Sequence, residues 1–239
     1  GVREAAAALE PGAVQFLFPD NAGRAALEGA GYRPRRDLQF HWYNRGDADF
    51  DAFLGRLRSA KRKQIRKERR RARDTGLDLR LRHGDELTAG QWRQFHAGYA
   101  AVTELRGAPA YLTPEFFEEV APRLGDRLVL ATAERGGELA AAALNVRSEN
   151  VLYGRYWAAL EEHDFLHFEL CYYAGIDYAL AEGLSRFEGG AQGAHKIARG
   201  FVPTLTHSAH WLPHEGLDAA VAEFLGRESA AVGQEAQAA

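Results

Sequence analysis

A five-position pattern, Gly-aromatic-x-Pro followed after six residues by His-Trp, occurs twice, and no other feature restricts the fold as much. Gly31-Tyr32-Arg33-Pro34 leads to His41-Trp42, and Gly200-Phe201-Val202-Pro203 leads at the same spacing to His210-Trp211. Each copy lies after an apolar helix, a Gly and a short Phe-containing strand (Phe16 and Phe18 before the first, Phe187 before the second). Self-similarity at this range points to duplicated domains. The duplication assigns residues 1–45 to the C-terminal remnant of a first domain, 46–230 to a complete second domain, and 231–239 to a frayed tail.

The elements follow from periodicity. Val2–Leu9 reads as a helix, Ala13–Phe18 as a strand and Asn21–Gly29 as a short helix closed by Gly31 and Pro34. An aromatic strand covers Leu38–Tyr43, and a long helix covers Asp49 to about Asp74, its first half amphipathic through Phe50, Phe53, Leu54 and Leu57. A strand at Leu77–Arg82 and helices at Glu86–Val102 and Pro114–Leu124 come next, the second capped by Thr113. Three strands, Arg127–Ala133, Glu138–Val146 and Val151–Ala158, form a meander joined at Arg135-Gly136-Gly137 and Ser148-Glu149-Asn150. Helix Leu166–Glu182 stops at Gly183. A short strand Arg186–Glu188, a strand Thr204–Leu212 and a helix Leu217–Arg227 complete the order.

Charge is distributed unevenly. Arg56–Arg73 holds eleven Lys and Arg against Glu68 alone, a local +10, so a chain of net charge −3 carries −13 elsewhere. Such a stripe suits an anionic partner. The single cysteine, Cys171, excludes a disulfide framework and a Cys-based zinc cluster, and reads as an inert thiol in an apolar helix. With no membrane-length apolar run and no export signal at the start of the sequence, a cytoplasmic setting and no transmembrane segment are expected. His207, His210 and His214 do not share one strand face, so no metal site is expected.

The order of helix, strand, two helices, three antiparallel strands, helix and strand resembles the GNAT N-acyltransferase fold. Several stretches narrow the resemblance: Gln39-Phe40-His41-Trp42 with Asn44, Lys61–Arg69, Tyr111-Leu112-Thr113, Leu152–Trp157, Leu166–Tyr173, Gly189-Gly190-Ala191-Gln192-Gly193, His195-Lys196, Ala198–Phe201 and Pro203. They look like the Fem-like "peptidoglycan biosynthesis/recognition" group of GNAT proteins. The resemblance covers nearly the whole chain. It implies an α/β (α+β) fold with a mixed central sheet flanked by helices, tandem-duplicated with the first copy truncated. It also implies kinship with aminoacyltransferases that join amino acids from aminoacyl-tRNA to peptidoglycan precursors. The family pattern reads Gly-Ala-Gln-Gly-Glu-His-Lys, whereas Ala194 stands here at the acidic position. A carboxylate there would be the obvious general base.

The candidate site gathers where the two parallel strands of such a fold separate. For proton handling the candidates are His195, His167 and Glu169, the last two at a spacing that does not share one helical face. Gly190, Gln192, Gly193, Lys196 and Arg199 form a glycine-rich loop able to hold a phosphate or carboxylate on backbone N–H groups and cations. Strand alternation sends Tyr153, Arg155 and Trp157 to one face, where an Arg between aromatics suits an anion. Arg62 and Arg66 of the basic stripe are candidates for donor contact. The expected function is transfer of an acyl or aminoacyl group from acyl-CoA or aminoacyl-tRNA to a small-molecule or peptide amine. The alternatives are a catalytically silent module that binds a peptidoglycan precursor or another anion, and a tRNA-binding protein using the basic helix. Oligomeric state is not encoded in these patterns.

Overall fold

The computed structural model describes residues 2–191 and 193–238, with the side chains of Ala7, Ala194, Glu235, Gln237 and Ala238 left aside. Two compact units make up the chain, Gly1–Gln39 with Pro203–Ala239, and Phe40–Val202.

The first unit contains helix α1 (Val2–Ala7), strand β1 (Val14–Leu17), helix α2 (Asn21–Gly29), the first part of strand β2 (Arg33–Tyr43), most of strand β8 (Val202–Trp211) and helix α9 (Glu215–Ala238). Asp20 starts α2 by accepting a 2.7 Å hydrogen bond from the Gly23 N–H. This satisfies one of the amides that a helix start leaves unpaired. β1 runs antiparallel to β8, with Val14 opposite Trp211 and Gln15 opposite His210. The Arg3 guanidinium lies over the Tyr32 ring at 4.6 Å and the Trp211 ring at 5.2 Å. Arg35 grips Glu228 through two bonds of 2.6 and 2.7 Å, and Arg33 pairs with Asp218, so α9 is tied to β2. The sequence pattern ends this helix at Arg227, but it continues to Ala238. Alanine and glutamine are good helix formers and extend it.

The second unit holds a six-stranded mixed sheet in the order β2-β7-β6-β5-β4-β3, with β3 (Asp78–His83), β4 (Leu128–Arg135), β5 (Glu138–Arg147), β6 (Val151–Ala159) and β7 (Arg186–Glu188). The meander β4-β5-β6 forms as its patterning predicts. β6 and β7 are parallel, paired only from Val151↔Arg186 to Tyr153↔Glu188. β7 then ends while β6 continues to Ala159, and a gap opens between them.

Helices α5 (Ala89–Leu105) and α6 (Pro114–Leu124) cover one face, where Trp92, Phe95, Tyr99 and Phe117 pack on Leu130, Leu144 and Ala158. The other face packs Leu166 and Leu170 against Ala131, Ala141 and Ala143. α5 starts at Ala89 rather than Glu86, because Thr88 and Gln91 form a capping box. The expected helix over 49–74 is two helices, α3 (Phe50–Gly55) and α4 (Ser59–Arg73). Asp49 caps α3, while Arg58 has ψ 143°, outside the helical range. The expected helix Leu166–Glu182 is interrupted too. α7 (Leu166–Phe168) passes through a π turn at Glu169–Tyr173 into α8 (Ala174–Ala181). Such one-turn insertions recur at functional sites.

The two copies of the repeat share local structure. Gly31 and Gly200 both take left-handed conformations, φ 77° and 89°, which only glycine adopts at little cost, and each releases the chain into a strand. In the first copy the strand's His-Trp sits opposite Glu188 and Phe187; in the second it sits opposite Gln15 and Val14.

Candidate active site

The divergence of β6 and β7 opens a cavity of about 530 Å³ in the second unit. Its walls are β5, β6, the π turn, the loop after β7 and the end of α5. β6 carries a bulge there: Leu144 faces Tyr156 and Asn145 faces Gly154, so Arg155 has no partner across the ladder. A bulge re-aims side chains. Consequently Gly154, Arg155, Tyr156 and Trp157 all line the cavity, where simple alternation would split them. Tyr153 is not among the lining residues and instead lies under the Arg155 guanidinium at 5.1 Å.

His167, from α7, and His195, from the 3-10 turn Ala194–Arg199, meet in this cavity with ring centroids 6.5 Å apart. Trp157 stands edge-on to His167 at 5.2 Å. The His195 Nε2 and the Tyr172 hydroxyl are hydrogen-bonded at 3.0 Å. Burial first, then the neighbouring charges of His195, Arg106, Arg199 and Lys196, pull His167 down to about 4. Burial, then Arg199 and Lys196, lowers His195. Both imidazoles are therefore neutral at physiological pH and able to accept a proton. Lys196 is 4% exposed, and its ammonium donates to the Gly190 carbonyl at 3.3 Å. Burial lowers it to about 8, with Arg106 adding to the effect and Cys171 opposing it. The loop that delivers these groups turns at Gly190 (φ 80°) and Gly193 (φ 98°), conformations that require glycine. Gln192, a candidate by sequence, lies outside the described residues, as does the side chain of Ala194.

The structure brings His167, His195, Lys196, Gly190, Gly193, Arg155 and Trp157 together and draws the other candidates elsewhere. Glu169 follows His167 by two residues but turns to the opposite side, where Arg69 donates to it at 2.9–3.2 Å. Burial raises its carboxyl, opposed by the Arg69 bonds and charge. It borders a second cavity of about 420 Å³ with Arg73, Leu79 and Asp177. Arg199 is also engaged. It grips both Glu68 oxygens at 3.0 Å, stacks on Phe168 at 3.5 Å, and donates to the His195 carbonyl at 2.8 Å. It thereby braces the turn that carries His195 and Lys196. Arg62 bonds the carbonyls of Gly55 and Leu57, and Arg66 pairs with Asp51 on the surface. Sequence reasoning missed Arg106, Tyr156 and Tyr172, which also line the cavity. Cys171 lines it as well, its thiol pushed up by burial.

A cavity at the parting of two parallel strands, in a mixed sheet covered by helices on both faces, defines a GNAT-like fold. The family profile for FemAB-like proteins of peptidoglycan biosynthesis/recognition matches residues 1–239, and the chain belongs to that family. No curated protein sequence matches it. Among solved structures it resembles the C-terminal domain of a protein assigned as a lysylphosphatidylglycerol synthetase from Agrobacterium fabrum, with a TM-score of 0.65 at 13% identity over 94% of this chain and 74% of that one. FemX gives 0.62 at 12% identity over 92% and 77%. A tandem GNAT protein from the clavulanic acid biosynthesis pathway gives 0.50 at 16% identity over 88% and 67%. At such identities these likenesses establish the fold. Among the described residues no helix is long and apolar enough to cross a membrane, and no group of three or more His, Cys, Asp or Glu could hold a metal ion.

Proposed function

We propose that this chain transfers an acyl or aminoacyl group onto an amine in the cavity between β6 and β7. The observation that carries the proposal is the convergence there of two neutral imidazoles and a buried ammonium, without a carboxylate among the described lining residues. The amine lone pair attacks the donor's carbonyl carbon, and the carbonyl oxygen takes the negative charge. The Lys196 ammonium is placed to stabilise that oxyanion in a poorly solvated site. The amine's proton passes to His195 or His167, and the C–O or C–S bond to the donor breaks as its oxygen or sulfur takes up a proton. Tyr172 holds the His195 ring, so His195 has the better-defined orientation.

The donor is acyl-CoA or aminoacyl-tRNA, and the acceptor a small-molecule or peptide amine. FemAB-like membership favours an aminoacyl donor and a peptidoglycan-precursor acceptor. The cytoplasm, where both donors occur, is the proposed compartment. Residues 1–45 and 46–230 are proposed to be the end of one GNAT-like domain and the whole of a second. The matching registers of β1 with β8 and of β2 with β7 support that duplication.

A second reading, a catalytically silent module that binds an anionic precursor, is favoured by Ala194 at the acidic position of the family pattern. Transfer assays with both donors separate the two. Turnover by the native chain that falls about 100-fold or more in His167→Ala or His195→Ala supports transfer. Turnover absent from the native chain and from Ala194→Glu, with saturable ligand binding, supports the silent module. Turnover unchanged in both histidine variants would remove them from the mechanism.

A further inference from the structure

Arg106 belongs to no motif, yet it lines the cavity. It caps the C-terminus of α5, and among the described residues its guanidinium pairs with no carboxylate. Its charge nonetheless reaches His167, Tyr172 and Lys196, so it faces the same space as they do. Cations thus arrive from three separate elements: Arg106 from α5, Arg155 from β6 and Lys196 from the 3-10 turn. Arg106 and Arg155 are exposed, and Glu188 lies within electrostatic reach of Arg155. No described lining residue is acidic, however, so the net positive field of the cavity favours an anion.

The segment that carries Arg106 also exposes apolar groups. Leu105 is 87% exposed and Tyr111 68% exposed, at the two ends of the connection between α5 and α6. Tyr111 stands edge-on to Tyr156 at 6.2 Å, and Tyr156 lines the cavity. The fold gains little from holding these side chains in water, whereas a ligand with an apolar part gains by covering them.

We propose that the α5–α6 connection is a recognition loop for an amphiphilic anion. Arg106 and Lys196 take its carboxylate or phosphate, and the Tyr111–Tyr156 pair takes an apolar or aromatic group attached nearby. The proposal rests on the same cavity as the transfer reading and names the class of substrate that the cavity selects. It is tested by binding alone, so the two can fail separately.

The experiment is calorimetric titration of the full chain at millimolar probe concentrations with inorganic phosphate, phenyl phosphate and phenylacetate. The native chain is compared with Arg106→Ala, Arg106→Gln, Tyr111→Ala and the surface control Arg93→Ala, with thermal unfolding recorded for each. Phenyl phosphate, phenylacetate or both bind the native chain, and the preferred probe tells a phosphate-bearing ligand from a carboxylate-bearing one. Arg106→Ala and Arg106→Gln weaken binding roughly 10-fold or more, as loss of a charged hydrogen-bond donor does. Tyr111→Ala weakens the phenyl probes about 3- to 10-fold and leaves inorganic phosphate unchanged. Failure of all three probes to bind the native chain overturns the proposal, as does native-like affinity in a folded Arg106 variant. Transfer activity without probe binding would count against this inference alone, and probe binding without transfer against the transfer reading alone.

Discussion

The second unit arranges its ionisable groups in two different ways on the two sides of the π turn. On one side of the π turn, Arg69 meets Glu169 and Asp177, and Arg199 meets Glu68. Tyr173 donates to that same Glu68, so each buried guanidinium is matched by carboxylates. On the other side, Lys196, His167 and Arg106 share a cavity in which no described lining residue is acidic. Burial of a charge without a counter-ion is costly and is normally relieved by pairing or by proton loss. The first side relieves it by pairing, and it joins α4 to the helix and turn that frame the site. On the second side, burial lowers both His167 and Lys196. One region is a network of ion pairs and the other is the site of the proposed transfer, although both draw on the same stretch, His167 to Arg199.

That contrast predicts effects of graded size. The largest effect belongs to the paired side. Glu68→Ala leaves Arg199 buried without its partner and should cost about 3–5 kcal/mol in chemical denaturation; a cost below ~1 kcal/mol would mean that the pair does not hold the turn. The next concerns pH. Folding lowers His167 from 6.5 to about 4, so between those values the unfolded chain takes a proton that the folded chain refuses. Stability should therefore fall as pH drops through this window, by up to ~3 kcal/mol from this residue, and His167→Gln should flatten the dependence. A smaller effect tests the coupling inside the cavity. Arg106→Ala should raise the titration of Lys196 above its value of about 8, seen as slower amine modification at fixed pH. The smallest belongs to the surface. Arg66→Ala breaks the pair with Asp51, whose side chains are 58% and 75% exposed, and should change stability by less than ~1 kcal/mol.

Local patterning carried much of this fold. The meander strands, the Thr113 cap and the repeat glycines each have a signal in a few adjacent residues, and each forms where that signal lies. The break between α3 and α4 was harder to see, because the basic run from Arg58 onward suits a helix and only the backbone at Arg58 departs from it. The capping box at Thr88 and Gln91 was readable and would have placed the start of α5 correctly. The π turn and the bulge at Arg155 depend on tertiary packing, so helical and strand periodicity gave no sign of them. The same limit governed the site. The glycine loop with His195 and Lys196 was visible as a motif. The engagement of Arg199 by Glu68 and of Glu169 by Arg69 joins residues 131 and 100 positions apart, and sequence spacing is blind to it. Arg106 had no local signal, since its significance lies in what surrounds it.

The central claim is that the cavity with the lowered imidazoles and ammonium, rather than the paired network, is where the ligand is held. It is tested most directly by titrating acetyl-CoA and an aminoacyl-tRNA into the native chain, Lys196→Ala and the isosteric Glu169→Gln. Saturable binding of either donor that is lost or weakened about 10-fold or more in Lys196→Ala, and retained in a folded Glu169→Gln, is the predicted result. Full affinity in Lys196→Ala with loss in Glu169→Gln would contradict the account and move the ligand to the Arg69 side.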